Sequence, residues 1–194
     1  MTLVSNNKND KVMIFIDLRN VRKSVEAAEA RTFKLDLYSL AKQLTGSREL
    51  MAAYVFDARR FGMEDYAVPF HNLLKHLGFR MVIRESRDRL EQMGREQKEV
   101  DVAMACEMVV HALRDHYDVA VVVSGDRDFI PAIQHVQAAG KRVEVAAFEG
   151  SVSQEMRKAA DRFYELEKMP LMTVSSPSGE IAEDTDGATA EEAE

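Results

Sequence analysis

Apolar residues form two kinds of segment that alternate along the chain. Short continuous apolar runs predict strands of a parallel sheet, because such strands are covered on both faces. These runs lie at residues 12–16, 51–56, 79–83, 119–123 and 143–148. Longer segments with apolar residues at helical spacing predict helices. They lie at residues 21–30, 35–44, 66–77, 100–113, 129–139 and 152–166.

Strands that alternate with helices predict an α/β fold. We expect a doubly wound, mainly parallel sheet of about five strands, covered by helices on both faces. The segment 100–113 is apolar on nearly every side, which predicts a buried helix. Gly78 and Gly140 follow helices at the position where a left-handed cap favours glycine. In sheets of this kind, ligands bind beyond the carboxyl ends of the strands, near the point where the strand order reverses.

The chain has 194 residues, which favours one domain. We expect that domain over residues 11–168, between a flexible N-terminus at 1–10 and a disordered acidic tail at 169–194. The tail contains no lysine or arginine and seven acids: Glu180, Glu183, Asp184, Asp186, Glu191, Glu192 and Glu194. Because the net charge of the whole chain is −7, the rest of the chain is neutral overall. The acidic balance therefore does not exclude a nucleic-acid partner.

Composition excludes several classes of protein. Cys106 is the one cysteine, so neither a disulfide within the chain nor a cysteine-rich zinc site is possible. Its place in the apolar helix predicts an inert core residue. No apolar run approaches the roughly 18–20 residues of a membrane span, and the polar start lacks the apolar core of a signal peptide. We expect a reducing, cytoplasmic location.

Acidic and amide side chains follow the first and fourth predicted strands. Asp17 and Asn20 come after the first strand, and Asp126 and Asp128 come after the fourth. These two strands are neighbours in the commonest doubly wound orders, so their ends bring the side chains together. Asp101, at the start of the predicted helix 100–113, can point into the same crevice.

Clustered carboxylates raise one another's pKa, and protons or a cation relieve the repulsion. Oxygen ligands select hard cations such as Mg²⁺, which can activate water and neutralise the charge of a phosphodiester. The pattern therefore favours phosphodiester hydrolysis. An alternative interpretation is local: Asp101, Asp126 or Asp128 as helix caps, and Asp17 with Asn20 as a side-chain turn.

Two further groups of charged side chains have open interpretations. Glu107 and His111 lie one turn apart on the same helix, either as a surface pair or with Glu107 as a fifth acid near the metal. Basic residues at the strand ends form either a rim for a phosphate backbone or an ordinary solvated surface. The candidates for substrate binding are Arg19, Arg22, Lys98 and Arg127. His71, on an amphipathic segment, is expected at the surface or at the edge of the core.

Four sequence blocks together resemble the NYN domain family, which belongs to the PIN-like nucleases. They are VMIFIDLRN at 12–20, KEVD at 98–101, VVVSGDRDF at 121–129 and GKRVEV at 140–145. A closing helix at 156–163 extends the resemblance over residues 11–167. It implies a PIN-like α/β/α sandwich, an acidic Mg²⁺ or Mn²⁺ site and endoribonuclease activity. The departures from the family pattern are Leu18, Glu99, Glu107 and Arg127.

Carried over by position, the resemblance implies a set of site residues. Asp17, Asp101, Asp126 and Asp128 would hold the metal, and Asn20 would complete the catalytic group. We therefore expect a metal-dependent endoribonuclease. The alternative is a non-catalytic RNA-binding or regulatory module that keeps the fold. RNA is the expected partner, with a homo-oligomer or a protein bound through the acidic tail as further possibilities.

Overall fold

The computed structural model describes residues 7–27, 36–60, 64–86 and 93–169. Six parallel strands form one sheet, in the order β3-β2-β1-β4-β5-β6. The strands are β1 (Lys11–Asp17), β2 (Glu49–Arg60), β3 (Arg80–Ser86), β4 (Val119–Val123), β5 (Arg142–Ala147) and β6 (Arg162–Glu165). All five predicted strands are confirmed. The sheet and its helices form the α/β/α sandwich expected of a PIN-like fold.

Helices cover both faces of the sheet. The helices are α1 (Leu18–Ala27), α2 (Leu37–Thr45), α3 (Glu64–His76), α4 (Met93–Leu113), α5 (Ile130–Ala138) and α6 (Gln154–Ala159). The first three pack their apolar residues on one face, and the last three pack theirs on the other. Every residue of β4 is buried, as its continuous apolar run predicts. Gly78 and Gly140 adopt positive φ of 92° and 79°, as expected after a helix.

The sixth strand corrects the prediction that 152–166 is mostly helical. The helix ends at Ala159, and residues 162–165 pair with β5 instead. Asp161 forms the junction, because its carboxylate accepts a hydrogen bond from the backbone N–H of Val143 at 2.7 Å. Its own N–H donates to the carbonyl of Val143 at 2.8 Å. The aromatic pair Phe163 and Tyr164 favours a strand, a local signal that the helical pattern before it concealed.

Helix α4 differs from its prediction in two ways. It begins at Met93, so Asp101 lies in its third turn and not at its start. The polar residues before Val100 extend the helix, since glutamate, glutamine, lysine and arginine are good helix formers. The helix is also not buried on every side. Val100, Met104, Met108 and Ala112 face the core, whereas Cys106 is exposed, so its expected place in the core is wrong.

A buried ion pair joins parts of the fold that are far apart in sequence. Arg48, just before β2, makes two parallel hydrogen bonds of 2.9 Å to the carboxylate of Glu144 on β5. Tyr164 on β6 donates a third hydrogen bond to that carboxylate at 3.0 Å. The Arg48 side chain is 3% exposed and that of Glu144 is 0% exposed. Such fork-shaped pairing satisfies both charges away from water.

Several sequence predictions lie outside the described residues. They concern residues 1–6 of the N-terminus, residues 28–30 of the first predicted helix, residue 35 at the start of the second, and residues 170–194 of the acidic tail. The domain boundaries at 11 and 168 stay a prediction. No helix within the described ranges is long and apolar enough to cross a membrane.

Candidate active site

The carboxyl ends of β1 and β4 form the centre of the candidate site. These strands are neighbours, as predicted, and the strand order reverses between them. Asp17 ends β1, and Ser124 follows β4 on the same face of the sheet. The Ser124 hydroxyl donates a hydrogen bond of 3.3 Å to the Asp17 carboxylate. The site therefore lies where ligands bind in open parallel sheets.

Asp17 has an unusual environment for a carboxylate. Its side chain is almost completely buried, with 1% of the residue exposed. The pKa of Asp17 is raised from its ordinary 3.8 to about 6, mainly by burial and also by the negative charges of Asp101 and Asp126. Hydrogen bonds from the Asn20 backbone N–H, at 3.0 Å, and from Ser124 oppose that rise in the pKa. The folded chain thus keeps Asp17 partly protonated unless another positive charge replaces the proton.

The loop after β4 is fixed against the loop after β1. The Asn20 side-chain oxygen accepts a hydrogen bond from the backbone N–H of Gly125 at 3.1 Å. A Cβ on Gly125 would lie 2.4 Å from the carbonyl oxygen of Ser151, so only glycine fits against this backbone. The amide of Asn20 therefore joins two loops of the protein and is already engaged with the main chain.

Asp126 and Asp128 occupy the turn that follows Gly125. Asp126 caps a short 3-10 helix, Arg127–Phe129, and accepts a hydrogen bond from the backbone N–H of Asp128 at 3.0 Å. The capping interpretation of Asp126 is thus correct. The capping hydrogen bond uses only one of its two carboxylate oxygens. Asp126 is half-buried and near enough to raise the pKa of Asp17, whereas Asp128 is exposed.

Helix α4 contributes the third carboxylate. Asp101 is half-buried, and its charge is the first of the two carboxylate charges that raise the pKa of Asp17. Glu107 does not join this group. Its carboxylate lies 3.1 Å from Nε2 of His111, which confirms the surface-pair interpretation. Glu107 and His111 lie six and ten residues beyond Asp101 on the helix, which is roughly two to three turns.

The donors at this site fit a hard divalent cation in their chemistry. Asp17, Asp101 and Asp126 offer only oxygen ligands, and their mutual repulsion is the kind that a cation relieves. Within residues 7–27, 36–60, 64–86 and 93–169, no three histidine, cysteine, aspartate or glutamate side chains are yet gathered closely enough to hold a metal ion. A cation at this site would have to draw the carboxylates closer together.

The four basic residues predicted to bind substrate have different surroundings. Arg127 is exposed between the two aspartates of the turn, and Arg19 is half-buried at the start of α1. Lys98 is exposed on α4 and, together with Arg84 of β3, lines an open groove of about 400 Å³. Arg22 instead points to the other face of the sheet, with its guanidinium 3.3 Å from the Asp57 carboxylate.

A buried pair on that other face was absent from the sequence prediction. Asp57 lies near the end of β2, and its carboxylate accepts a hydrogen bond from Nε2 of His71 at 2.8 Å. Both residues are 2% exposed, so of the two positions expected for His71, the surface is wrong and the edge of the core stands. Asp57 directly follows the apolar run 51–56, and the rule that selected Asp17 and Asp126 would also have selected it. The Arg22 contact completes this cluster, which lies across the sheet from Asp17.

The fold and the carboxylates at the reversal of strand order define a class, the PIN-like nuclease domains. Residues 11–167 match the NYN domain family, and the chain belongs to that family. No curated protein matches the chain. A crystal structure of a protein of unknown function from Vibrio parahaemolyticus resembles it, with a TM-score of 0.69 and 22% sequence identity. The similarity covers 85% of this chain and 98% of that one, and it shows the shared fold.

Proposed function

We propose that this protein is a metal-dependent endoribonuclease that hydrolyses phosphodiester bonds in RNA. The observation that carries the proposal is the buried Asp17, whose pKa of about 6 reflects burial and the charges of Asp101 and Asp126. A protein rarely keeps such repulsion unless the site has a use for it. Nucleases of the NYN and PIN-like class typically use divalent metals, and these oxygen donors suit Mg²⁺ or Mn²⁺.

In this proposal, Asp17, Asp101, Asp126 and Asp128 hold the metal. When bound, the metal activates water for attack and neutralises the charge of the phosphodiester. Hydrolysis would join the water oxygen to phosphorus and break the bond from phosphorus to a ribose oxygen, the water losing one proton and that oxygen taking up one. Ser124 orients the Asp17 carboxylate through its 3.3 Å hydrogen bond. Asn20 fixes the loop after β4 against the loop after β1.

Basic side chains near the site suit the backbone of RNA. Arg127 lies in the site turn, Lys98 lies one turn before Asp101 on α4, and Arg84 lines the same groove as Lys98. We infer that an RNA strand runs from the aspartates into this groove. Phosphate contacts of this kind position the substrate without reading its sequence. Arg19 and Arg22 are the other proposed contacts, although Arg22 is shared with Asp57.

The experiment is cleavage of a mixed RNA pool by the purified chain with Mg²⁺ or Mn²⁺, with Asp126→Asn in parallel. Asparagine keeps the side-chain oxygen that caps the 3-10 helix, so the variant should fold. We expect cleavage to fall by about two orders of magnitude or more, as for the loss of a group that stabilises transition-state charge. Unchanged cleavage by Asp126→Asn would remove Asp126 from the site.

Asp118→Asn is the matched control for this experiment. Asp118 also flanks β4 and also accepts a hydrogen bond from a backbone N–H, that of Lys11 at 2.8 Å. It precedes the strand, however, and therefore lies at the opposite edge of the sheet. We expect the control to cleave RNA like the parent chain. Equal loss in both variants would indicate a general effect on folding.

The alternative function is a non-catalytic RNA-binding module. The observation that favours it is the engagement of both loop aspartates: Asp17 and Asp126 each accept a backbone hydrogen bond. In that case RNA binding depends on Arg127, Lys98 and Arg84, weakens steeply with salt and is insensitive to a chelator. RNA that is bound without being cleaved in Mg²⁺ and in Mn²⁺ would favour this module.

We further propose that the protein acts in the cytoplasm. The single cysteine, Cys106, suits a reducing compartment, where disulfides do not contribute to stability. Partner binding through the acidic segment 169–194 is part of the same proposal. That segment would repel RNA and is therefore better suited to a basic protein surface.

A further inference from the structure

Helix α4 carries a second apolar stripe in addition to the face that packs on the sheet. Val102, Cys106, Val110 and Leu113 follow one another at intervals of four, four and three residues. Val102 is 61% exposed and Leu113 is 71% exposed, and Cys106 is exposed between them. Within the described residues, α4 carries more exposed large apolar side chains than any other helix, and Val110 is 38% exposed.

The spacing of the stripe is that of a two-helix seam. Apolar residues that recur every three or four positions in the sequence form one line along a helix. Such a line can pack against an equivalent line on a second helix. A surface helix that rests on a sheet needs one apolar face only. The second face of α4 therefore fits another helix with an equivalent stripe.

The charges at the two ends of the stripe favour a second copy of this chain. Glu99 lies at the beginning of the stripe and Arg114 lies just beyond its end, and both are exposed. In an antiparallel pair of α4 helices, Glu99 of each copy lies opposite Arg114 of the other. A parallel pair would instead place like charges together, which is unfavourable. The midpoint between residues 99 and 114 falls beside Cys106.

We propose that α4 is a homodimer interface in which two copies pack antiparallel about a two-fold axis near Cys106. The interface buries Val102, Cys106, Val110 and Leu113 of each copy. It carries two symmetric ion pairs between Glu99 of one copy and Arg114 of the other. An isologous contact of this kind closes on itself and gives a dimer. The proposal does not depend on nuclease activity, but Glu99 and Val102 also line the groove of Lys98 and Arg84, so a second copy bound there would compete with an RNA strand.

The first test is the mass of the full chain in solution, measured by sedimentation or light scattering over a range of concentrations. We expect a dimer that Leu113→Glu weakens by about tenfold or more, because it places a charge in an apolar seam. Leu73→Glu is the matched control, since Leu73 is 54% exposed on α3, away from the stripe. A parent chain that stays monomeric at its highest soluble concentration would overturn the proposal.

The second test addresses the antiparallel arrangement. Glu99→Arg and Arg114→Glu should each weaken the dimer, and the double variant should restore it, because the pair of charges is then exchanged. Cys106 is the one thiol of the chain, so a short bis-maleimide should join two copies only through it. A dimer that neither charge variant weakens, or that Cys106 does not cross-link, contradicts this geometry.

A third variant separates the dimer from coverage of the stripe by the chain itself. Removal of residues 170–194 should leave the dimer unchanged. If the full chain is monomeric and the shortened chain dimerises, those residues cover the stripe instead, and the proposal is wrong. Cleavage of RNA by each variant is a separate measurement, so loss of the nuclease activity and loss of the dimer can be told apart.

Discussion

Asn20 and Gly125 join two loops that are 105 residues apart in sequence. The Asn20 side-chain oxygen accepts the backbone N–H of Gly125 at 3.1 Å, and Asn20 itself donates its backbone N–H to Asp17 at 3.0 Å. One residue thus orients the buried aspartate and holds the opposite loop in place. We regard Asn20 as a positioning residue of the candidate site.

Asn20→Ala should destabilise the fold and loosen the site. The Gly125 N–H is partly buried and would lose its acceptor, so we expect a loss of about 1–3 kcal/mol in the free energy of unfolding. Denaturant titration measures this loss. Asn20→Asp keeps the acceptor but adds a negative charge beside Asp17, so it should bind Gly125 and still impair the site. Equal stability of Asn20→Ala and the parent chain would contradict the role of the hydrogen bond.

Gly125→Ala tests the close approach of the loop after β4 to the segment that precedes α6. The added Cβ would lie 2.4 Å from the Ser151 carbonyl oxygen and 2.8 Å from its carbonyl carbon, so backbone must move. We expect a loss of about 1–3 kcal/mol in thermal or denaturant unfolding. Gly150→Ala is the control, because a Cβ there meets nothing within 4 Å. Similar effects of the two variants would exclude the steric explanation.

Asp17→Asn should stabilise the metal-free protein at neutral pH. Because the pKa of Asp17 is about 6 in the folded chain against 3.8 ordinarily, the folded state binds this proton more tightly than the unfolded state. Ionisation of Asp17 therefore lowers stability as the pH rises from about 4 through about 6. Asp17→Asn lacks that decline, so its free energy of unfolding at neutral pH should exceed that of the parent chain by about 3 kcal/mol.

The measurement is the free energy of unfolding in chelator as a function of pH for both chains. Asparagine retains an oxygen for the Asn20 N–H, so the turn after β1 should persist. We expect the two curves to converge at low pH, to separate as the pH rises from about 4 to about 6, and to run parallel above that range. Added Mg²⁺ should then stabilise the parent chain more than Asp17→Asn. Curves that run parallel over the whole pH range would show that Asp17 titrates normally.

Glu144→Gln should leave the buried charge of Arg48 without its partner. Removal of one member of a buried ion pair costs about 3–5 kcal/mol, measured by denaturant unfolding. A variant that replaces Arg48 with Met, Glu144 with Leu and Tyr164 with Phe removes the charges and the phenol that donates to them. We expect that triple variant to recover most of the loss. A small effect of Glu144→Gln alone would mean that water reaches the pair.

The local pattern of apolar residues was sufficient to predict most of the strands and helices. The apolar runs at 12–16 and 119–123 predicted two central strands, because a strand covered on both faces has no polar side to reveal. The rule for doubly wound sheets then placed β1 beside β4, and the structure confirms it. The same pattern failed for β6. An edge strand of four residues depends on its pairing with β5, and the helical residues before it dominate the local signal.

Helix α4 shows a second limit of sequence patterns. A segment with apolar residues on nearly every side predicts burial all round. The hydrophobic pattern cannot distinguish a helix enclosed by its own fold from one with a face for another partner. Only the packing of Met104 and Met108 on the sheet shows which side is covered. The exposure of Val102 and Cys106 follows from that packing.

The sequence by itself determined the fold class, the family and the identity of the strand-end carboxylates, because these depend on local spacing and on general rules for parallel sheets. Tertiary structure alone decided which of these groups interact. Asp17 is buried and coupled to Asp101, Glu107 pairs with His111, and Arg48 meets Glu144 across 96 residues. The energies of these charge interactions depend on the distance between the groups and on the exclusion of water, and both are set only when the chain has packed.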